Sequence, residues 1–268
     1  MAQKAYDFTS RSQRRLIQDI LADIDALGDA EVRGIVQGSQ MVGVSAMRMG
    51  LCSRVMHRAK YFHEYIDFLN KSVRELVLFL LNPPSDCWDA TSLGMAAVNS
   101  LLPVPEDAFP LKAQYLIQHK GKGRNVCVIG HFPFLEKMNG QFSNLWVFEL
   151  HPRGSDLPAE AAPYFLPRAD VLAITATTLL NGTCAKLLRY TRKDAFTIML
   201  GPSTPFAPSL FEWGIDVLAG CKVTNPSLAT SRIEQGYPFK HLEGVDSLVW
   251  INPENAALRA QIDNYRSQ

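Results

Sequence analysis

The chain predicts a mixed α/β fold in two parts, a small α+β unit over residues 1–110 and a doubly wound parallel sheet over residues 111–268. Three observations predict it. Through the second part, short runs that are almost wholly apolar alternate with helical patterns, as the strands of a parallel sheet covered on both faces must. The first part instead offers an amphipathic helix, a hairpin and further helices. Between the two lie Pro103, Pro105 and Pro110, the composition of a linker.

The first helix follows from Leu16, Ile17, Ile20, Leu21, Ile24 and Leu27 at three-to-four spacing, with Ser10 and Gln13 placed as a capping box and Gly28 as its stop. Val32 to Val36 and Met41 to Met47 are β-compatible runs around Gln37-Gly38-Ser39-Gln40, which predicts a hairpin. Ser72 and Glu75 form a second capping box ahead of Leu76 to Leu81, and Pro83-Pro84 ends that helix. A third helix runs from Thr91 through Gly94 to Leu102. Beyond the linker the predicted strands are Val126 to Ile129, Leu145 to Leu150, Val171 to Ile174, Phe196 to Leu200, Val217 to Val223 and Ser247 to Ile251. Helices are predicted over Leu179 to Tyr190, Ser227 to Gln235 and Pro253 to Tyr265, which makes the second part Rossmann-like.

Composition narrows the function. Lys+Arg number 27 against Asp+Glu 26 in 268 residues, a formal net charge of +1, so no global field draws the chain to nucleic acid or an anionic membrane. The longest apolar run, Leu76 to Leu81, is far short of the roughly 20 residues of a membrane helix. Met1 to Arg15 lacks an apolar signal core, so a cytoplasmic location is expected. Cys52, Cys87, Cys127, Cys184 and Cys221 are odd in number and widely spaced, which reads as reduced core thiols.

Ligands of an open parallel sheet bind beyond the carboxyl ends of its strands. The predicted exits there are Gly130-His131-Phe132-Pro133, Glu149-Leu150-His151-Pro152, Thr175-Ala176-Thr177-Thr178, Gly201-Pro202-Ser203-Thr204-Pro205 and Thr224-Asn225-Pro226. All are small, polar or fixed by proline. Thr178, Ser203 and Asn225 have an alternative role as caps of the next helix. The first exit lacks G-x-G-x-x-G, so a classical dinucleotide site is absent, yet Glu149 stands where a carboxylate would meet ribose hydroxyls. His131, Glu149, His151 and Asp156 offer imidazole and carboxylate donors suited to a divalent transition metal, although no H-x-x-x-H spacing joins them. No G-x-S-x-G elbow marks a nucleophile. Gly201 to Pro205 suits an anion better, and Asn181 and Thr183 sit a turn into the following helix. Lys186, Arg189, Arg192 and Lys193 read as a solvated helix end.

The runs Val128 to Pro133 (VIGHFP), Ala169 to Thr183 (ADVLAITATTLLNGT) and Leu200 to Pro205 (LGPSTP) resemble the family described as "putative heavy-metal chelation", formerly a domain of unknown function. The resemblance implies an N-terminal domain similar to that of enolase, including the helix Ser92 to Leu102, followed by a Rossmann-like domain, with a pocket between them. Carried over by position, it highlights Asn99, Gly130, Pro133, Glu149, Asp156, Asp170, Thr175, Thr178, Asn181, Thr183, Gly201, Pro202, Ser203 and Pro205. Asp170 precedes its strand, at the end of the sheet away from the pocket, and reads as structural. The expected ligand set is then Asn99, Gly130, Phe132, Pro133, Glu149, Thr175, Thr178, Asn181, Thr183, Gly201, Pro202, Ser203, Thr204 and Asn225. Three function classes follow: binding of a metal or metal complex, an enzyme acting on an adenosyl or phosphate-containing molecule, and a scaffold whose pocket is vestigial. The expected partner is a small molecule or metal, with self-association left open.

Overall fold

In the computed structural model, residues 10–55, 68–83, 89–138 and 140–266 are described. Met1 to Thr9, Pro84 and Cys87 lie outside them. No helix of the described residues is long and apolar enough to cross a membrane.

Helix α1 (Ser10–Asp25) buries the stripe Leu16, Ile17, Ile20 and Ile24. The side chain of Gln13 does not close a capping box: its amide oxygen accepts from the Ala185 N–H and its Nε2 donates to the Leu179 carbonyl. The expected hairpin is present as β1 (Gly34–Gln37) and β2 (Met41–Ser45), but a third strand, β3 (Met49–Ser53), pairs antiparallel with β2. The reversal that starts it spans Ala46 to Arg48, where the Ala46 N–H meets the Arg48 carbonyl. Ser72 and Glu75 make the expected capping box of α2 (Val73–Val77), a short helix that tightens into a 3₁₀ turn at Leu78–Leu80. Helix α3 (Ala90–Leu101) is almost wholly buried and crosses β2 and β3. A side chain on Gly50 would leave no room for it: a Cβ there would sit 2.2 Å from the Ala96 carbonyl oxygen and 2.3 Å from the Ser100 nitrogen. At the start of the helix Asp89 forms a buried ion pair of 2.7 Å with Arg54.

The second sheet has eight strands: β4 (Phe109–Pro110), β5 (Asn125–Ile129), β6 (Asn144–Glu149), β7 (Leu157–Pro158), β8 (Val171–Thr175), β9 (Phe196–Leu200), β10 (Val217–Val223) and β11 (Val245–Ile251). Their order is β4-β11-β10-β9-β8-β5-β6-β7. The strands from β10 to β7 in that order run parallel; β11 is antiparallel to β10, and β4, antiparallel to β11, takes the direction of the parallel strands again. The large sheet is mostly parallel, and β11 departs from that order for a physical reason. Helix α9 (Pro226–Glu234) does not cross the sheet; it packs on β1 and β2, with Ala229 and Ile233 against Val36 and Met41. The chain therefore re-enters from the end it left, and Val245 pairs with Val223.

Helix α4 (Ala113–Gly121) and helix α10 (Ala256–Arg266) cover one face of this sheet through Leu116, Ile117, Leu258 and Ile262. On the other face lie α5 (Ala162–Phe165), α6 (Thr177–Leu180), α7 (Cys184–Tyr190) and α8 (Ser209–Glu212). The single helix expected over 179–190 is two, broken at Asn181-Gly182, where Gly182 takes φ +78°. Helix α1 lies between the two halves. Its stripe shares one continuous core with Leu93 and Met95 of α3 and with Ile174, Leu179, Leu188 and Leu210.

The close packing of β3 on α3 carries a prediction. Gly50→Ala forces backbone apart at a site where nothing flexible can yield, and overpacking of this kind costs about 1–3 kcal/mol. Gly34→Ala, whose nearest contact is 3.7 Å away, should stay within about 0.5 kcal/mol of the parent. Urea denaturation of the two variants measures the difference.

Candidate functional site

The parallel strands end where the site begins. Strand β5 runs into Gly130, which takes φ +97° and lies so close to the end of β8 that a Cβ would touch the Thr175 side chain at 3.0 Å. That turn aims the next two residues, His131 and Phe132, over the end of the sheet. The Glu149 carboxylate at the end of β6 ties the neighbouring exits together, accepting from the His131 N–H at 2.9 Å and from the Leu150 N–H at 2.8 Å.

The His131 ring is held in its turn. Its Nδ1 lies 3.0 and 3.1 Å from the two carboxylate oxygens of Asp156, which also accepts from the Arg153 N–H. The Asp156 side chain is 4% exposed and that of His131 35%, so a sheltered carboxylate orients an accessible imidazole. Nε2 is the ring nitrogen without a partner among the described residues. Such a carboxylate fixes the tautomer and the orientation of the ring.

Beside this pair, Thr175 and Thr177 share a hydroxyl hydrogen bond of 3.0 Å, Thr178 donates to the Thr175 carbonyl, and Thr183 donates to the Asn181 side-chain oxygen. These groups enclose a cavity of about 480 Å³ between β5, β6, β8, α5 and the α6–α7 break. Of the residues named from the sequence, Gly130, His131, Phe132, Glu149, Thr175, Thr178, Asn181 and Thr183 line it. Among the further lining residues are three polar ones outside the expected set, Ser53, Glu160 and Lys186. Lys186 is exposed, as a solvated residue would be, but it stands in the first turn of α7 and not at its end, at the edge of the cavity. Thr183, Lys186 and Leu187 recur at helical spacing along one face, a signal the sequence did contain.

Other expected residues are elsewhere. Ser203 is 1% exposed, and its hydroxyl oxygen accepts from the Ser53 N–H at 2.9 Å and contacts the Cys52 thiol at 3.2 Å. It fastens β3 to the exit of β9 and faces no cavity described here. Of the two residues expected to serve an adenosyl or phosphate ligand, Glu149 lines the cavity and Ser203 does not. Pro133, Gly201 and Pro202 line a separate cleft towards β11. Thr204 and Asn99 line another, beside β3 and β10, where the Asn99 amide donates to the Leu51 carbonyl at 2.9 Å. Asn225 is exposed and caps α9 through the Leu228 N–H.

The expected metal set does not assemble. Among the described residues no group of three His, Cys, Asp or Glu side chains could hold an ion. Asp156 serves His131, Glu149 serves two backbone amides, and His151 is exposed outside the cavity. Thiols do not fill the gap. Burial pushes Cys52, Cys127, Cys184 and Cys221 up to about 12, so they stay protonated.

A sequence model of one family, DUF364, described as "putative heavy-metal chelation", matches residues 113–250, just over half of the chain. The chain belongs to the DUF364 family. A second model with the same description, DUF4213, matches residues 21–102. Among solved structures, a DUF364 protein of unknown function from Desulfitobacterium hafniense superposes with a TM-score of 0.76 at 23% identity, covering 89% of this chain and 99% of its own. A DUF364 protein of unknown function from Pyrococcus horikoshii gives 0.72 at 20% identity, with 88% and 99% covered. At such identities the likeness establishes the fold. No curated protein matches.

The raised thiols of this DUF364 chain carry a prediction. At pH 8 a thiol that titrates near 12 is ionised only about one part in ten thousand. Iodoacetamide should therefore leave the buried Cys52, Cys127 and Cys184 unmodified in the native protein and label them after denaturation, as read by peptide mass spectrometry.

Proposed function

We propose that this DUF364 protein binds a small polar organic molecule, free or as its metal complex, in the cavity beyond β5, β6 and β8. The observation that carries the reading is the pairing of an oriented, accessible His131 with a cavity whose other polar groups are spread around its wall. A cavity of about 480 Å³ is within the range of small-molecule sites. A bare ion, in contrast, needs several protein donors at one point, and none converge among the described residues. In this reading the organic ligand supplies most donors to any heavy metal, and the protein recognises the ligand. Thr175, Thr177, Asn181 and Thr183 hydrogen-bond it, Lys186 meets negative charge on it, and His131 Nε2 supplies one lone pair or takes one proton.

The same reading treats residues 1–110 and 111–268 as two domains with the cavity at their junction. The separate matches over 21–102 and 113–250 support the division, and Ser53 represents the first domain in the lining.

Native mass spectrometry and elemental analysis of the protein as purified, followed by titration of metal-stripped protein, test the proposal. Histidine complexes of Ni²⁺, Cu²⁺ or Zn²⁺ should stabilise the chain against heat where the uncomplexed ions do not, since a native-state ligand at a hundredfold excess over Kd adds about 2.7 kcal/mol. His131→Ala should weaken binding about tenfold or more, and Asp156→Asn, which leaves the ring but changes its orienting partner, about 10-fold to 100-fold. Tight binding of a bare ion that His131→Ala leaves unchanged would overturn the reading. So would stabilisation by S-adenosylmethionine or a nucleotide with none by the complexes.

A further inference from the structure

A second cleft, of about 290 Å³, lies where β3 and the end of α3 face β10. Its charged lining residues are Arg48 and Lys222, with no aspartate or glutamate among them. Arg48 is fixed there because its Nη1 donates to the Leu101 carbonyl at 2.6 Å and to the Leu102 carbonyl, at the end of α3. Neither cation has an ion-pair partner among the described residues. Asp246 stands opposite Lys222 in the β10–β11 register, yet the two form no ion pair and Asp246 does not line the cleft. Burial lowers the pKa of Arg48, the response of a guanidinium short of solvent.

The uncharged lining adds a second signal. Thr204 is 3% exposed and its Oγ1 has no hydrogen-bond partner among the described residues. A buried hydroxyl without a partner is uncommon in folded proteins. Asn99, with its Nδ2 committed to the Leu51 carbonyl, borders the same space. Two unpaired cations and an unsatisfied hydroxyl in one cleft have one chemistry in common: each is completed by an oxygen acceptor carrying negative charge.

We propose that this cleft is a second ligand site that takes a small multivalent oxyanion, a phosphate or polycarboxylate, between Arg48 and Lys222 with Thr204 turned to donate to it. The site is separate from the His131 cavity and does not rest on the function assigned to that cavity. Its occupant bridges β3 and β10, and so acts on the junction between the small sheet and the large one.

Isothermal titration of the full chain at low ionic strength, with sodium pyrophosphate and sodium tricarballylate as probes and potassium chloride at matched ionic strength as reference, tests this. Saturable binding of either probe is expected, and the stronger of the two identifies the oxyanion class. Lys222→Gln, at an exposed position where folding is not at stake, should weaken binding at least fivefold, and Thr204→Val should weaken it as well. Arg48→Gln should abolish it, but this variant also strips a donor from the end of α3, so the Lys222 variant carries the decision. His131→Ala should bind the probe as the parent does. Absence of saturable binding, unchanged affinity in Lys222→Gln, or loss of binding in His131→Ala overturns the proposal.

Discussion

The structure depends on the burial of one helix stripe. Leu16, Ile17, Ile20 and Ile24 of α1 belong to neither half alone; they fill the core shared by α3 and by the helices on the near face of the large sheet. Each such side chain is worth about 1.5–3 kcal/mol when buried, so the small sheet's α3 and the helices of the large sheet are held together by hydrophobic burial. The polar flank of α1 sets the register of that contact. Gln13 holds the α6–α7 break at Leu179 and Ala185, Asp19 accepts from the Trp213 indole at 3.1 Å, and Asp23 accepts from the Ser209 N–H at 3.0 Å. Asp23 is held at a cost, since burial raises its pKa despite the bonds from Ser209. With α1 fixed in this way, β3 arrives at the exit of β9, and the Ser203 hydroxyl secures it through the Ser53 amide. Both clefts inherit a wall from that placement.

The electrostatics of the main site follow from where the chain ends its strands. A strand-end carboxylate surrounded by turning backbone is satisfied by amides before it meets any ligand, which is the state of Glu149. The same physics applied to Asp156 produces a different result, because one of its neighbours is a ring nitrogen as well as an amide. The outcome is a site with one oriented imidazole and a wall of hydroxyls. Such a wall recognises a molecule with several polar groups far better than it grips a single ion, whose binding requires donors at one point in a fixed geometry.

Much of the fold was legible because burial writes itself into composition. The runs at 126–129, 171–174, 196–200 and 217–223 are apolar since both of their faces are covered, and they are strands of the large sheet. The direction of β11 was not legible. Direction depends on where the preceding helix packs, and the close approach of Gly38 to the Ile233 carbonyl, 2.0 Å from a notional Cβ, is a tertiary fact with no local signature. Strand β3 was missed for a related reason, since its four buried residues include Gly50, a weak strand former whose place is set by α3. Helix α4 is largely polar, and its hold on the sheet rests mainly on Leu116 and Ile117.

The site shows what a sequence reading of polar strand exits does and does not contain. The expectation picked out residues by type and position, and type cannot distinguish a hydroxyl that serves the fold from one left for a ligand. Ser203, Asn99 and Asn225 have the right chemistry, yet each is consumed by a backbone group: the Ser53 amide, the Leu51 carbonyl, the Leu228 amide. Lys186, Lys222, His131 Nε2 and Thr204 Oγ1 keep capacity that no described residue uses. Of these only Thr204 is buried, and a buried polar group without a partner costs about 1–3 kcal/mol; the other three face solvent and keep their capacity at no such cost. Thr204 and Lys222 lie in the cleft beside β3 and β10, and His131 and Lys186 at the cavity beyond β5, β6 and β8.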